Sequence, residues 1–252
     1  MTRAYYLKSY ATIMPMIKAV IFDLDNTLCN STDIIEDILR SILKKYLKYF
    51  PNKNIDDLIL INVKTFKNLI ADPDVPLSAA IIRVWFEVFE QLQINPQLKI
   101  ILRLIEDIRQ TNKRVRLIDG VLELMNYLKL KDIKIGVLTN GIFIDQANKL
   151  IKLKLDGFID YLVTSDMCAA DKPDPEIFKY LLGKMAVSPN QTIMIGDDYT
   201  ADIKGAYNVG IKTIYLKNNS LRNISMKSVK PDYTETNYKD ILKLVKRLTP
   251  NH

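Results

Sequence analysis

Five aspartates in this chain stand where short apolar runs stop. Lys18-Ala-Val-Ile-Phe-Asp-Leu24 runs into Asp23-Leu-Asp-Asn-Thr27, which sets Asp23 and Asp25 two residues apart. Thr192 to Ile195 runs into Gly196-Asp-Asp198, with Asp202 following shortly after. A third apolar run, Ile133 to Leu138, ends in Thr139-Asn-Gly141, and the stretch after Tyr161 to Thr164 delivers Lys172-Pro173. Two acids directly after an apolar strand are costly unless a site uses them. Converging carboxylates repel one another, so such a cluster needs a cation. An all-oxygen donor set without imidazole or thiolate points to a hard ion, and Mg²⁺ suits a site that a phosphate completes. Each motif alone is weak, since Asp-x-Asp and Thr-Asn-Gly mark many ordinary turns. Four in this order, each at a predicted strand end, form a specific set.

Composition removes most other chemistries. The single histidine is His252, which rules out Ser-His-Asp triads, Cys-His dyads, histidine phosphatases and His-ligated zinc. Neither Cys29 nor Cys168 has an arginine six residues on; Ile35 and Asp174 stand there, so a cysteine-based phosphatase loop is excluded. One cysteine pair in 252 residues is no disulfide framework, and a cytoplasmic setting is expected. Catalysis must therefore run on carboxylates, lysines and hydroxyls. The net charge is +7, but the lysines are dispersed, and no basic stretch is interleaved with aromatics as in a nucleic-acid platform. No apolar run approaches the ~20 residues of a membrane span, and Met1 to Pro15 has no continuous apolar signal-like core. The expected partner is thus a small phosphorylated metabolite, with no nucleic acid and no membrane. Residues 1–15 are expected to be a flexible extension.

The elements that must position these residues follow from periodicity. Lys18 to Leu24 is a short run of branched residues of the kind that forms a buried parallel strand. The period then changes: Ile34, Ile35, Ile38, Leu39, Ile42, Leu43, Tyr46 and Leu47 fall on one helical face, with Ser31, Thr32 and Asp33 as candidate caps. Three more helical patterns follow, broken at Asp72 to Pro76 and at Asn95-Pro96. From Arg116 strands and helices alternate, giving strands at 133–138, 161–164, 192–195 and 213–216 and a terminal helix at 238–248. Asp174-Pro175 opens a helix as cap and first residue. This rhythm predicts an α/β fold, a doubly wound, Rossmann-like parallel sheet with an inserted all-α cap domain. The expected boundaries are 16–32 and 115–252 for the core and 33–114 for the cap. In open sheets of this kind ligands bind beyond the carboxyl ends of the strands, which is where the acids lie.

With those residues in place, the chain resembles the haloacid dehalogenase superfamily of phosphohydrolases, in the branch with a helical cap after the first motif. The matching text is Phe22-Asp-Leu-Asp-Asn-Thr-Leu28, Leu138-Thr-Asn-Gly141, Lys172-Pro-Asp-Pro-Glu-Ile-Phe178 and Gly196-Asp-Asp-Tyr-Thr-Ala-Asp-Ile-Lys-Gly-Ala206. It covers the chain from about Met16 onward. Ile118-Asp-Gly-Val121 departs from the proline many relatives carry before that glycine, which leaves the chemistry untouched. The resemblance implies that Asp23 attacks phosphorus to form an aspartyl-phosphate and that Asp25 serves as general acid and base. It further implies that Thr139 and Asn140 hold phosphoryl oxygens, that Lys172 offsets their charge, and that Mg²⁺ is held by Asp23, the Asp25 carbonyl and Asp197. Asp202 or Asp198 would act through water or by orienting Lys172, with Asp202 favoured. Asp198 also reads as a helix cap, Asn140 as a turn residue, and Trp85 as cap core. A phosphomutase shares these motifs, whereas a dehalogenase is implied to replace Asp25. A non-catalytic phosphate or nucleic-acid binder has no reason to carry the full set. The Thr-Asn-Gly motif and the last spacing look most like the nucleotidase and acylneuraminate-phosphatase branch, so the metabolite could be a nucleotide or sugar phosphate.

Overall fold

The computed structural model describes residues 16–72, 74–111, 115–217 and 229–250. The expected extension at residues 1–15 lies outside them, as does His252. Strand β1 (Ala19–Phe22) is buried at every position, because both faces of its sheet are covered. It pairs in parallel with β4 (Lys134–Thr139) on one side and β6 (Thr192–Gly196) on the other. With β5 (Tyr161–Thr164), β7 (Lys212–Leu216) and β8 (Tyr233–Glu235) the order is β5-β4-β1-β6-β7-β8, parallel throughout. Chain direction across the sheet reverses at β1, and that switch opens a crevice at the carboxyl ends.

Side-chain alternation divides the core in two. Val20 and Phe22, with Ile135, Val137, Ile193 and Ile195, pack under α5 (Val121–Leu130) and α10 (Tyr238–Leu248). Ala19 and Ile21, with Leu138 and Met194, pack under α8 (Pro175–Met185) and α9 (Gly205–Asn208). Gly205 is needed there: a Cβ would come within 2.7 Å of the Phe178 ring.

Helices α1 (Thr32–Tyr46), α2 (Ile55–Ala71), α3 (Leu77–Gln91) and α4 (Leu98–Thr111) form the all-α insertion. They enclose their own apolar cluster, which includes Leu43, Phe50, Leu58, Trp85, Phe89 and Leu104. Trp85 is buried among them as core packing, and Asn54 caps α2 through Asp57 N–H.

The structure adds elements the periodicity did not predict. The insertion is entered and left through an antiparallel ribbon, β2 (Cys29–Asn30) against β3 (Arg116–Leu117). A sixth strand, β8, extends the sheet beyond the five expected. A short helix, α7 (Ser165–Cys168), follows β5 and ends at Cys168. Ser31 precedes α1 but makes no side-chain cap bond; its hydroxyl donates to Asn26 Oδ1 instead. Among the described residues no helix is long and apolar enough to cross a membrane.

Candidate active site

Asp23 continues the β1 ladder by one step, its N–H donating to Ile195 O at 3.0 Å. The chain then coils tightly: Leu28 and Cys29 both donate to Leu24 O, and Asn26 sits in the left-handed region at φ 60° with its N–H on Cys29 O. Asparagine tolerates that conformation better than most residues. The turn thereby projects both Asp23 and Asp25 beyond the sheet. Thr27 fastens it to the neighbouring loop, its hydroxyl donating to Asp197 Oδ1 at 3.2 Å and accepting from Asp197 N–H at 3.1 Å. Tyr238, fully buried on α10, donates to Thr27 O at 2.9 Å and braces the turn from below.

Lys172 lies at the centre of the cluster. Its ammonium is buried and donates to Asp23 Oδ1 and Asp202 Oδ1, both at 2.7 Å, and to Leu138 O at 2.9 Å. All three donors are therefore engaged. Asn140 fixes the loop that supplies it, its amide donating to Lys172 O at 3.0 Å and its carbonyl accepting from Lys172 N–H at 2.8 Å. Both polar atoms of Asn140 thus bond the Lys172 backbone, which clamps the loop that carries Lys172. Thr139, buried at the end of β4, accepts from Gln146 Nε2 at 3.1 Å.

The two later acids separate by role. Asp198 Oδ1 accepts from Thr200 and Ala201 N–H, capping the wide π-helical turn Tyr199–Lys204. That turn swings Asp202 back under the end of β6, where Oδ2 accepts from Asp198 N–H and Oδ1 meets Lys172. The fit is close, because a Cβ on Gly196 would lie 2.2 Å from Asp202 Oδ2.

Asp23, Asp197 and Asp202 each offer a carboxylate oxygen within 4.8 Å of the others. One ammonium is shared by two buried carboxylates, Asp23 and Asp202, with Asp197 close by. Burial raises Asp23 above its ordinary value despite the Lys172 charge, and it pushes Asp202 up to about 8 in the same way. Lys172 in turn is raised, because the pull of Asp202 and Asp23 outweighs its own burial. A hard divalent cation relieves this imbalance, and an all-carboxylate donor set fits Mg²⁺.

Asp25 stands outside that cluster. Lys149 Nζ lies 2.6 and 2.7 Å from its two oxygens, and Gln146 Nε2 lies 3.3 Å from Oδ2. Burial alone would raise Asp25; the Lys149 charge, with hydrogen bonds from Lys149, Ser31 and Gln146, holds it below the usual carboxylate value. Sequence reasoning missed both residues. They belong to α6 (Phe143–Lys152), away from any strand end, and a lysine in an amphipathic helix reads as surface. Cys29 is buried, and its thiol is pushed up to about 12 chiefly by that burial, so it is no nucleophile.

A family described as haloacid dehalogenase-like hydrolase matches residues 20–216. The chain is 29% identical over 236 residues to a glyceraldehyde 3-phosphate phosphatase of Methanocaldococcus jannaschii, covering 92% of this chain and 99% of that one. It is 26% identical over 242 residues to the pyrophosphatase PpaX of Bacillus mycoides, covering 92% and 98%. The crystal structure of a 2-haloacid dehalogenase from Pseudomonas syringae superposes with a TM-score of 0.71 at 23% identity, over 92% of this chain and 99% of that one. That last likeness is one of fold.

Proposed function

We propose that this chain, which belongs to the haloacid dehalogenase-like hydrolase family, is a Mg²⁺-dependent phosphatase that hydrolyses a small-metabolite phosphomonoester through an aspartyl-phosphate on Asp23. The observation that carries this reading is the buried Lys172 bridge between Asp23 and Asp202, with Asp197 alongside. A binding protein gains nothing from assembling such a charged cluster at the cost of burying it. The names of the two curated relatives support phosphoryl substrates, and the intact Asp25 separates this site from dehalogenase chemistry.

Lys172 occupies Asp23 Oδ1, which leaves Oδ2 to attack phosphorus. The new bond joins that oxygen to phosphorus while the bond to the leaving oxygen breaks in line. In its protonated form Asp25 gives the leaving oxygen a proton, and the carboxylate so formed takes one from the water that attacks the phosphoryl group, which restores Asp23 and frees phosphate. Thr139 and nearby backbone amides hold the phosphoryl oxygens, and Lys172 offsets their charge. Asp23, the Asp25 carbonyl and Asp197 are the groups that would hold Mg²⁺, with Asp202 behind them steadying Lys172. When bound, the ion supplies the positive charge that the acid cluster and the phosphoryl oxygens lack. Residues 33–114 act as a lid whose side chains select the leaving group.

Phosphate release from p-nitrophenyl phosphate, glyceraldehyde 3-phosphate, pyrophosphate, sugar phosphates and nucleotides tests the assignment. Turnover with Mg²⁺ is expected for at least one of them, with loss in EDTA, recovery on adding Mg²⁺ back, and no turnover by Asp23→Asn. Full activity in chelator, or in Asp23→Asn, contradicts it.

A further inference from the structure

Asp25, assigned above to proton transfer, is held by two side chains of α6. Gln146 and Lys149 lie three residues apart on α6, so their side chains leave one face of the helix. Both are buried, at 4% and 8% exposed, which is rare for lysine unless it is paired. Lys149 spans both oxygens of Asp25 almost symmetrically, at 2.6 and 2.7 Å. The Gln146 amide reaches three acceptors, namely Asp25 Oδ2 at 3.3 Å, Thr139 Oγ1 at 3.1 Å and Asn140 O at 3.1 Å. Gly141, at φ 140°, leaves the room this needs, since a Cβ there would lie 2.8 Å from Gln146 Nε2. Gln146 Oε1, though buried, accepts no hydrogen bond among the described residues. Among the described residues the amide is therefore oriented through its nitrogen, by Asp25, Thr139 and Asn140.

A buried ion pair kept for stability alone is poorly rewarded, because desolvating both ions offsets most of their attraction. Orientation is a better account. A carboxyl group that moves a proton must turn the same oxygen, protonated, to the leaving oxygen in the first displacement and, deprotonated, to water in the second. A lysine on both oxygens fixes the plane of that carboxylate, and the glutamine couples it to the threonine beside the phosphoryl site. We propose that Lys149, assisted by Gln146, is a positioning residue for both proton transfers and acts through Asp25. This rests on the phosphatase reading above.

The rate constant for breakdown of phosphorylated Asp23 is the informative quantity, because it is measured per adduct and does not change with the fraction of folded protein. Rapid-quench experiments with p-nitrophenyl phosphate and Mg²⁺ would compare wild type, Lys149→Gln, Asp25→Asn and the double variant. Breakdown in Lys149→Gln is expected to slow by roughly 10–100-fold, part of the ~10²–10⁴-fold commonly due to a general base, with KM changed by less than about threefold. In the Asp25→Asn background the same substitution should cost less than about twofold, since residues that act as one unit are not additive. Losses that multiply in the double variant would assign Lys149 to the substrate itself and overturn the proposal. So would an unchanged breakdown rate in Lys149→Gln accompanied only by a lower melting temperature. If Lys149→Gln does not fold, Gln146→Leu carries the same test, with its loss expected to vanish in the Asp25→Asn background. Absence of any phosphorylated Asp23 in wild type would instead reject the phosphatase reading beneath it, so the two failures are distinguishable.

Discussion

Gly196 illustrates how little room the site leaves at single residues. It stands where β6 ends, and a methyl group there would lie 2.2 Å from Asp202 Oδ2 and 2.4 Å from its carboxyl carbon. Asp202 is fully buried and held by Lys172 and Asp198, so it has nowhere to move. Gly196→Ala should therefore cost about 1–3 kcal/mol by overpacking, lower the melting temperature by several degrees, and reduce turnover by displacing Lys172. Thermal unfolding and phosphate release on one sample would check both. Cys29 gives a second test through its proton. Its folded value of about 12 exceeds the 9.0 of an unfolded thiol, so the folded chain binds that proton more tightly. Its contribution to stability is complete below pH 9 and is lost as pH rises toward 12, where unfolded chains ionise first. Stability measured by urea should fall more steeply over that interval in wild type than in Cys29→Ala; equal slopes would contradict the buried thiol. At this scale Asp23 stood out at a strand end, whereas the roles of Lys172 and Asp202 came from the family resemblance. Lys149 was not, because its burial is decided by where α6 docks and leaves no trace in local sequence.

Among the elements, the short and irregular ones escaped the periodic reading. The two residues of β2 and the two of β3 cannot display alternation, and their pairing spans the whole insertion. Strand β8 is three residues of partly exposed, polar character at the sheet edge, where burial imposes little pattern. The π-helical turn Tyr199–Lys204 has the composition of an ordinary helix start, yet its width is what brings Asp202 beneath β6. The buried strands β1 and β4 were readable as continuous apolar runs, and α8 and α10 as helices whose one buried face demands its period. Helix α10 also reaches the site. The Tyr238 hydroxyl holds Thr27 O from within the core, and Thr27 in turn holds Asp197. Tyr238→Phe leaves a buried carbonyl without its donor, which costs about 1–3 kcal/mol. Urea unfolding should show that loss as a lower midpoint at unchanged slope, and kcat should fall more than the stability change alone explains. A stable, fully active Tyr238→Phe would mean the turn is braced elsewhere.

In the whole molecule, three apolar clusters divide the labour. Two lie on opposite faces of the sheet and support the acids at its carboxyl edge, while the third lies within the four-helix insertion and contains Trp85. The polar groups that act are drawn from four loops, after β1, β4 and β6 and on the approach to α8, with α6 alongside. This dispersion explains why no single motif reveals the site, whereas their order along the chain does. The central claim is that Asp23 is phosphorylated during turnover and that Asp25 governs its release. Two residues beyond Asp23, outside the acid cluster and held by Lys149 and Gln146, Asp25 is assigned to both displacements in turn. With p-nitrophenyl phosphate the leaving group departs readily without a proton, so Asp25→Asn should slow phosphorylation only modestly. Hydrolysis of the adduct loses its general base and should slow by ~10²–10⁴-fold. Rapid-quench kinetics with mass spectrometry of the peptide bearing Asp23 measures both steps at once. The account predicts a burst of nitrophenolate near one equivalent from Asp25→Asn, a matching phosphate on Asp23, and neither from Asp23→Asn. A wild type without phosphorylated Asp23, together with an Asp25→Asn variant lacking both burst and adduct, would contradict it.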